Sequence, residues 1–347
     1  MRFVPLPEPV RASSAKISVL GFGCAAFLGR ASRKQSLLAL NTALDHGITF
    51  FDTARSYGYG GSEALLGEFL VGKRDKVFLC TKFGIIPSAQ GGWKQSLKPI
   101  ARALVRSFPG LRKTAQRHAA SQFLPGQFSV SSLTASFETS LRELRTDYVD
   151  MLLMHAAPAS ALAQDDLLEV LERLVASGKV GLAGISAELP VISEYFTRRP
   201  VPLRTAQFAL NLSSMNFVEQ TKRNQDLLLV ANHPFGGPSG NAAAQIDALR
   251  TSVDISHELR QKLQIAQSDA QQILPEIVLN CILDGTGVSA VIPAMMQVQH
   301  IKSNVRAIES CRFTSGELAL VRNLLMRDIE TSSKSHATDL PSSKPAR

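Results

Sequence analysis

The sequence predicts a parallel (β/α)₈ TIM barrel with a long basic insertion after the third strand and a disordered C-terminal tail. Three observations carry the prediction. Short β-rich stretches alternate with longer amphipathic ones, the β-rich stretches number eight, and each is a nearly continuous apolar run. Strand, helix, strand in repetition builds a parallel sheet. Strands apolar on both faces are those that helices cover from outside.

Taken in order, the predicted strands are Ile17–Gly21, Thr49–Asp52, Val77–Thr81, Tyr148–Met154, Val180–Ile185, Arg204–Phe208, Leu227–Ala231 and Val288–Ile292. Helical periodicity falls between them at Lys34–His46, Ser62–Leu70, Ser131–Leu144 and Asp165–Ser177. A flavodoxin-like open sheet would need fewer strands. A Rossmann sheet would want GxGxxG after the first strand, and Gly21-Phe22-Gly23-Cys24-Ala25-Ala26 lacks the third glycine.

Three segments depart from the repeat. Residues 85–127 are far longer than a usual βα connection. The stretch 235–268 has little strand character and reads as a long loop followed by a short helix. Beyond residue 327 the chain is rich in Ser, Lys and Pro, a disorder-prone composition. The expected organisation is one barrel domain over 1–327, with 85–127 inserted, and a disordered tail over 328–347.

The bulk numbers suit an ordinary globular protein. Of 347 residues, 45% are hydrophobic and 19% charged, and no apolar run approaches the about 18 residues of a membrane span. The first 14 residues lack the apolar core of a signal peptide. Cys24, Cys80, Cys281 and Cys311 are widely spread, without CxxC or zinc spacing. Reduced thiols in a cytoplasmic protein, with no metal site, are the simplest reading.

In a barrel of this kind, catalytic groups sit at the C-terminal strand ends. The second strand runs out through Phe50-Phe51-Asp52-Thr53-Ala54 to Ser56-Tyr57-Gly58, the third ends in Thr81-Lys82, and the fourth in Met154-His155. Each residue has an ordinary explanation alone: a turn cap, a surface aromatic, a solvent-reaching lysine, a core histidine. Together they put an Asp, a Tyr, a Lys and a His at one mouth. Carbonyl reduction explains the set. A phenol with pKa near about 10 is a weak proton donor, and a neighbouring ammonium lowers that value. Lys82 can supply the ammonium, Asp52 can hold it charged and oriented, and His155 can hydrogen-bond the substrate oxygen or help donate the proton. Tyr57 then protonates the alkoxide as hydride arrives.

The run Phe51-Asp52-Thr53-Ala54-Arg55-Ser56-Tyr57-Gly58 with Gly61-Ser62-Glu63 resembles the signature of the aldo-keto reductase family. Thr81-Lys82 and Met154-His155 resemble the other two members of that family's tetrad, and the likeness spans roughly 18–308 outside the insertion. It implies a (β/α)₈ barrel and NADPH as cofactor. It also implies a cofactor site: Gly23 and Cys24 after the first strand, Ser186 and Gln207 on the nicotinamide carboxamide, His233-Pro234-Phe235-Gly236-Gly237 around the pyrophosphate, and Pro293, Met295, His300 and Asn304 at the adenosine phosphate. Several positions depart from the pattern. Ala187 replaces an Asn, Leu210 stands where an aromatic often stacks on the nicotinamide, and Ala294 and Met295 offer neither charge nor hydroxyl. A 2′-phosphate wants Arg or Lys donors. Lys302 and Arg306 are the nearest in sequence, so NADH is the alternative cofactor.

The insertion holds seven positive residues, Lys94, Lys98, Arg102, Arg106, Arg112, Lys113 and Arg117, and no Asp or Glu, against a net charge of +9. Leu97, Ile100, Ala101, Leu104, Val105 and Phe108 form an apolar stripe at helical period. A lid helix over the barrel mouth, a site for an anionic substrate or cofactor phosphate, and a membrane-surface or acidic-partner helix over 94–108 are the three readings. Nucleic-acid binding is not expected, because only Trp93 and Phe108 flank the basic stripe and stacking platforms are missing. The expected partner is a small-molecule carbonyl or alcohol. The reading is therefore an NAD(P)(H)-dependent oxidoreductase, with a low-activity cofactor-binding sensor or interaction module as the alternative.

Overall fold

The computed structural model describes residues 1–5, 16–29, 31–87, 123–236, 242–251, 255–264 and 270–338. The basic segment within 88–122, and with it Trp93 and the proposed helix over 94–108, lies outside the described residues.

Eight parallel strands form the barrel: β1 (Gly21–Gly23), β2 (Phe50–Asp52), β3 (Phe78–Phe83), β4 (Val149–His155), β5 (Val180–Ser186), β6 (Leu203–Ala209), β7 (Leu228–Asn232) and β8 (Ala290–Ile292). Each pairs with its sequence neighbour. The ring closes through a parallel bridge between Leu20 and Val291, whose amide donates to the Val19 carbonyl at 2.9 Å. Inward side chains fill the barrel: Ile17, Phe50, Phe78, Cys80, Met151, Leu153, Leu182, Leu228 and Val230 form one buried cluster. The outward set packs against the helices in a second, larger core. This division follows from the two-residue alternation of strands.

The helices are α1 (Arg33–Asp45), α2 (Ser62–Leu70), α3 (Val130–Leu144), α4 (Asp165–Ala176), α5 (Leu189–Arg198), α6 (Val218–Lys222), α7 (Ala242–Thr251), α8 (His257–Gln264), α9 (Ala270–Leu283), α10 (Val298–Glu309) and α11 (Ser315–Thr338). Local signals place their ends. Ser32 and Gln35 form a reciprocal capping box at the start of α1. Ser129 caps α3, which stops at Arg145 in the left-handed region at φ 55°. Gly67 lets α2 meet α3 closely, because a Cβ there would lie 2.2 Å from the Glu143 carbonyl.

Three expectations need correction. The predicted strand Ile17–Gly21 is split: Ile17–Ser18 pairs antiparallel with Phe3–Val4, and the barrel strand starts at Gly21. The Ser18 hydroxyl causes the break, accepting the Thr49 and Phe50 amides at 3.0 and 3.2 Å and donating to the Leu20 carbonyl at 2.7 Å. The third strand runs two residues further than predicted, so Lys82 lies within β3. The stretch 235–268 carries two helices, α7 and α8, rather than one; Ile246, Leu249, Leu259 and Leu263 bury against the main core. Helix α11 (Ser315–Thr338) is anchored to the core by Leu318, Val321, Leu324 and Leu325.

Candidate active site

β2 and β3 are adjacent parallel strands, with Asp52 opposite Cys80. Asp52 and Lys82 turn into the barrel near its C-terminal rim, both buried. Lys82 Nζ lies 2.5 Å from Asp52 Oδ1 and donates to the Thr53 carbonyl at 3.0 Å. The chain leaves β2 through a tight turn in which the Tyr57 amide donates to the Ala54 carbonyl at 3.1 Å. Gly58, Tyr59 and Gly60 are all left-handed, with φ of 59°, 58° and 84°. A Cβ on Gly58 would lie 2.9 Å from the Phe27 carbonyl oxygen, so this turn needs its glycine for space as well as for backbone freedom. The turn brings the Tyr57 ring over Lys82, with Nζ 4.9 Å from the ring centroid. The His155 ring, at the end of β4, meets Tyr57 edge to face at 5.6 Å and 85°. All four residues singled out from sequence therefore meet at one point.

The electrostatics differ from the sequence expectation in one respect. Burial pushes the Tyr57 phenol up to about 12; Lys82 pulls the other way and Asp52 adds to the rise. Lys82 reduces the upward shift without reversing it. Lys82 itself feels burial, which disfavours its charge, but the Asp52 carboxylate and its hydrogen bond override that and hold the ammonium above its usual range. Burial, then the Lys82 charge, lower His155 to about 3, so the imidazole is neutral at neutral pH. Its Nδ1 is buried without a hydrogen-bond partner.

Next to this group, His155, Ser186 and Gln207 are register partners across β4, β5 and β6. Ser186 Oγ donates to Gln207 Oε1 at 2.9 Å, and Gln207 Nε2 donates to Asp52 Oδ1 at 3.0 Å. Sequence reasoning placed Gln207 on the cofactor side only and missed its bond to Asp52. It also missed the buried set behind the tetrad, formed by Thr53, Ser62, Glu63 and Thr81. The run Gly61-Ser62-Glu63 was the available signal.

The remaining cofactor candidates are spread along the same rim. Gly23 ends β1, and the Cys24 amide donates to the Asp52 carbonyl at 2.9 Å, while the Cys24 thiol is buried and shifted far upward by that burial. His233 is exposed at φ 50°, with Nδ1 2.8 Å from Asn232 Oδ1; Gly236 closes the turn onto the His233 carbonyl, and Phe235 packs against the core. Gly237 lies outside the described residues. Pro293 and Met295 are buried, His300 is exposed on the first turn of α10, and Asn304 spends its amide on Met295 Sδ at 3.5 Å. Leu210 is fully buried in the core, and Asn211 caps the following turn. No described helix is long and apolar enough to cross a membrane.

Comparison with known proteins agrees with this architecture. The sequence model of the Aldo/keto reductase family matches residues 19–325. The aldo-keto reductase YhdN of Bacillus subtilis is 31% identical over 187 residues, which is 53% of this chain and 46% of that protein, so the chain spans less than half of this relative. Among solved structures, the holo form of the aldo-keto reductase AKR11C1 from Bacillus halodurans superposes with a TM-score of 0.63 at 21% identity, covering 92% of this chain and 96% of that one. An aldo/keto reductase from Klebsiella pneumoniae, in complex with NADP and acetate, superposes at 0.61 with 23% identity over the same shares of the two chains.

Proposed function

The chain belongs to the aldo/keto reductase family, and from that premise we propose that it reduces an aldehyde or ketone, or oxidises the corresponding alcohol or sugar, with NADPH as hydride carrier. The observation that carries this reading is the placing of the Lys82 ammonium between the Asp52 carboxylate and the Tyr57 ring, with His155 edge-on to that ring.

Tyr57 is the proton donor. With its phenol pushed up to about 12, it is protonated at neutral pH and gives up its proton only to a stronger base, such as a developing alkoxide. Lys82 stabilises the phenolate left behind, and Asp52 keeps Lys82 charged and aimed. His155, being neutral, orients the substrate oxygen by a hydrogen bond rather than supplying the proton.

The residues present fit a nicotinamide group. Ser186 and Gln207 lie side by side at the strand ends next to the tetrad, and the orphaned Nδ1 marks a polar wall there. NADPH held there supplies the hydride, and the crystallised Klebsiella relative carries NADP. At the adenosine end, His300, Lys302 and Arg306 are the exposed groups of α10 able to meet a phosphate.

A sensor with little turnover is the second reading, favoured by the Asn304 amide being engaged by Met295 and by Leu210 being buried. One experiment separates the two. Consumption of NADPH, and separately of NADH, is followed with a panel of aldehydes, ketones and quinones, beside Tyr57→Phe. Turnover that falls about 10²–10⁴-fold in the variant, with cofactor binding retained, supports the enzyme. Normal turnover by Tyr57→Phe refutes the assignment, and no turnover by the wild type favours the sensor.

A further inference from the structure

The residues that face inward at the site are held by their neighbours that face outward. Lys82 projects into the barrel; Thr81, one position earlier, projects to the opposite side, where its hydroxyl donates to Glu63 Oε1 at 2.6 Å. The other carboxylate oxygen of Glu63 accepts from Arg55 Nη1 at 2.8 Å, and Arg55 lies two residues before Tyr57. One step earlier on α2, Ser62 Oγ lies 3.0 Å from Thr53 Oγ1, beside Asp52, and 3.4 Å from the Cys24 carbonyl. The first two residues of α2 thus clamp the loop 53–61 at its base. Glu63 reaches both the loop that carries Tyr57 and the strand that carries Lys82, through one carboxylate oxygen each.

We propose that Glu63 is a positioning residue, whose two carboxylate oxygens fix the spacing of Tyr57 and Lys82 from outside the barrel. Burial speaks for this role. Glu63 is 1% exposed, and a buried ion pair contributes little net stability over apolar packing of equal volume. Its directional bonds define a relative position that apolar contacts would leave free to slide. The two oxygens are divided between two elements, Oε1 to β3 and Oε2 to the loop, as a spacer requires and a surface ion pair does not. The inference rests on Tyr57 being the proton donor.

The test uses the full chain as Glu63→Gln, Thr81→Val and Thr81→Ser, with Tyr57→Phe alongside. Two quantities are read: backbone amide exchange across residues 53–61, and the pH dependence of benzyl alcohol oxidation with NADP⁺. In Glu63→Gln and Thr81→Val, exchange in 53–61 should rise about tenfold while β5–β8 stay protected. For the same variants kcat should fall ~10- to 100-fold with KM nearly constant, because a shift of about 1 Å misplaces the proton donor. The rising limb of the pH profile should move to higher pH as Lys82 loses its hold over the Tyr57 ring. Thr81→Ser keeps the hydroxyl and should behave as wild type.

Unchanged exchange at 53–61, exchange that rises evenly over the whole barrel, or a Thr81→Ser variant as impaired as Thr81→Val would each overturn the proposal. If Glu63→Gln does not fold, or benzyl alcohol is not turned over, the Thr81 pair and the exchange readout decide. Normal turnover by Tyr57→Phe would remove the proton-donor reading instead, a result distinct from any of these.

Discussion

Gln207 donates its side-chain amide to the same carboxylate oxygen of Asp52 that holds Lys82, at 3.0 Å. The side chain proposed to meet the cofactor is therefore hydrogen-bonded to the pair proposed to control the proton donor. Gln207→Met should weaken NADPH binding and also move the pH profile of turnover, since Asp52 loses one of its two bonds at Oδ1. Ser186→Ala removes only the hydroxyl that fixes the Gln207 amide, so its effect should be smaller. Fluorescence titration with NADPH, beside kcat against pH, checks both. A Gln207→Met variant altered in affinity alone would show that the bond to Asp52 carries no catalytic weight.

Lys82→Met leaves the Asp52 carboxylate buried without its cation. Breaking one side of a buried ion pair costs about 3–5 kcal/mol, so denaturant unfolding should show a large loss of stability. Turnover should fall ~10²–10⁴-fold, with the alkaline limb displaced upward, because the phenolate loses its stabilising charge. A variant that unfolds like wild type would mean that Asp52 is compensated by another group.

His155 gives a pH signature. Its folded value is lowered to about 3 from an ordinary value near 6.5, by burial and then by Lys82. Between those values the unfolded chain binds a proton that the folded chain refuses. Its contribution to stability is complete above about pH 6.5 and is lost as pH falls toward 3. Urea midpoints measured from pH 8 to pH 4 should drop more steeply for wild type than for His155→Gln. Over the same range kcat for reduction should show no ionisation attributable to His155. A kinetic pKa near 6.5 that disappears in His155→Gln would contradict the neutral-donor role.

The cations of α10 test cofactor choice. Lys302→Ala should weaken NADPH binding several-fold, about the scale of one exposed charge contact, and leave NADH binding unaltered if Lys302 meets the 2′-phosphate. Isothermal titration with both cofactors is sufficient. Equal loss for both would place Lys302 away from that phosphate.

Much of this protein was legible in the sequence for local reasons. Eight apolar runs between amphipathic helices dictate the barrel, since the period of the pattern decides which faces must be buried. Asp52, Tyr57, Lys82 and His155 were legible because each sits at or just after the end of a strand, and parallel strands deliver their ends to one rim. What the sequence left open depends on contacts between residues far apart in the chain. The Gln207–Asp52 bond spans 155 positions and exists only once the barrel has closed. The Ser18 hydroxyl splits the first strand because Thr49 and Phe50 arrive beside it. Leu210 turns to the core, and Met295 takes the Asn304 amide, for reasons of packing that no local pattern encodes. The same holds for the Tyr57 phenol. Residue types identify its charged neighbours, but their balance against burial, which here favours the protonated form, is decided by how deeply the finished fold sets the ring.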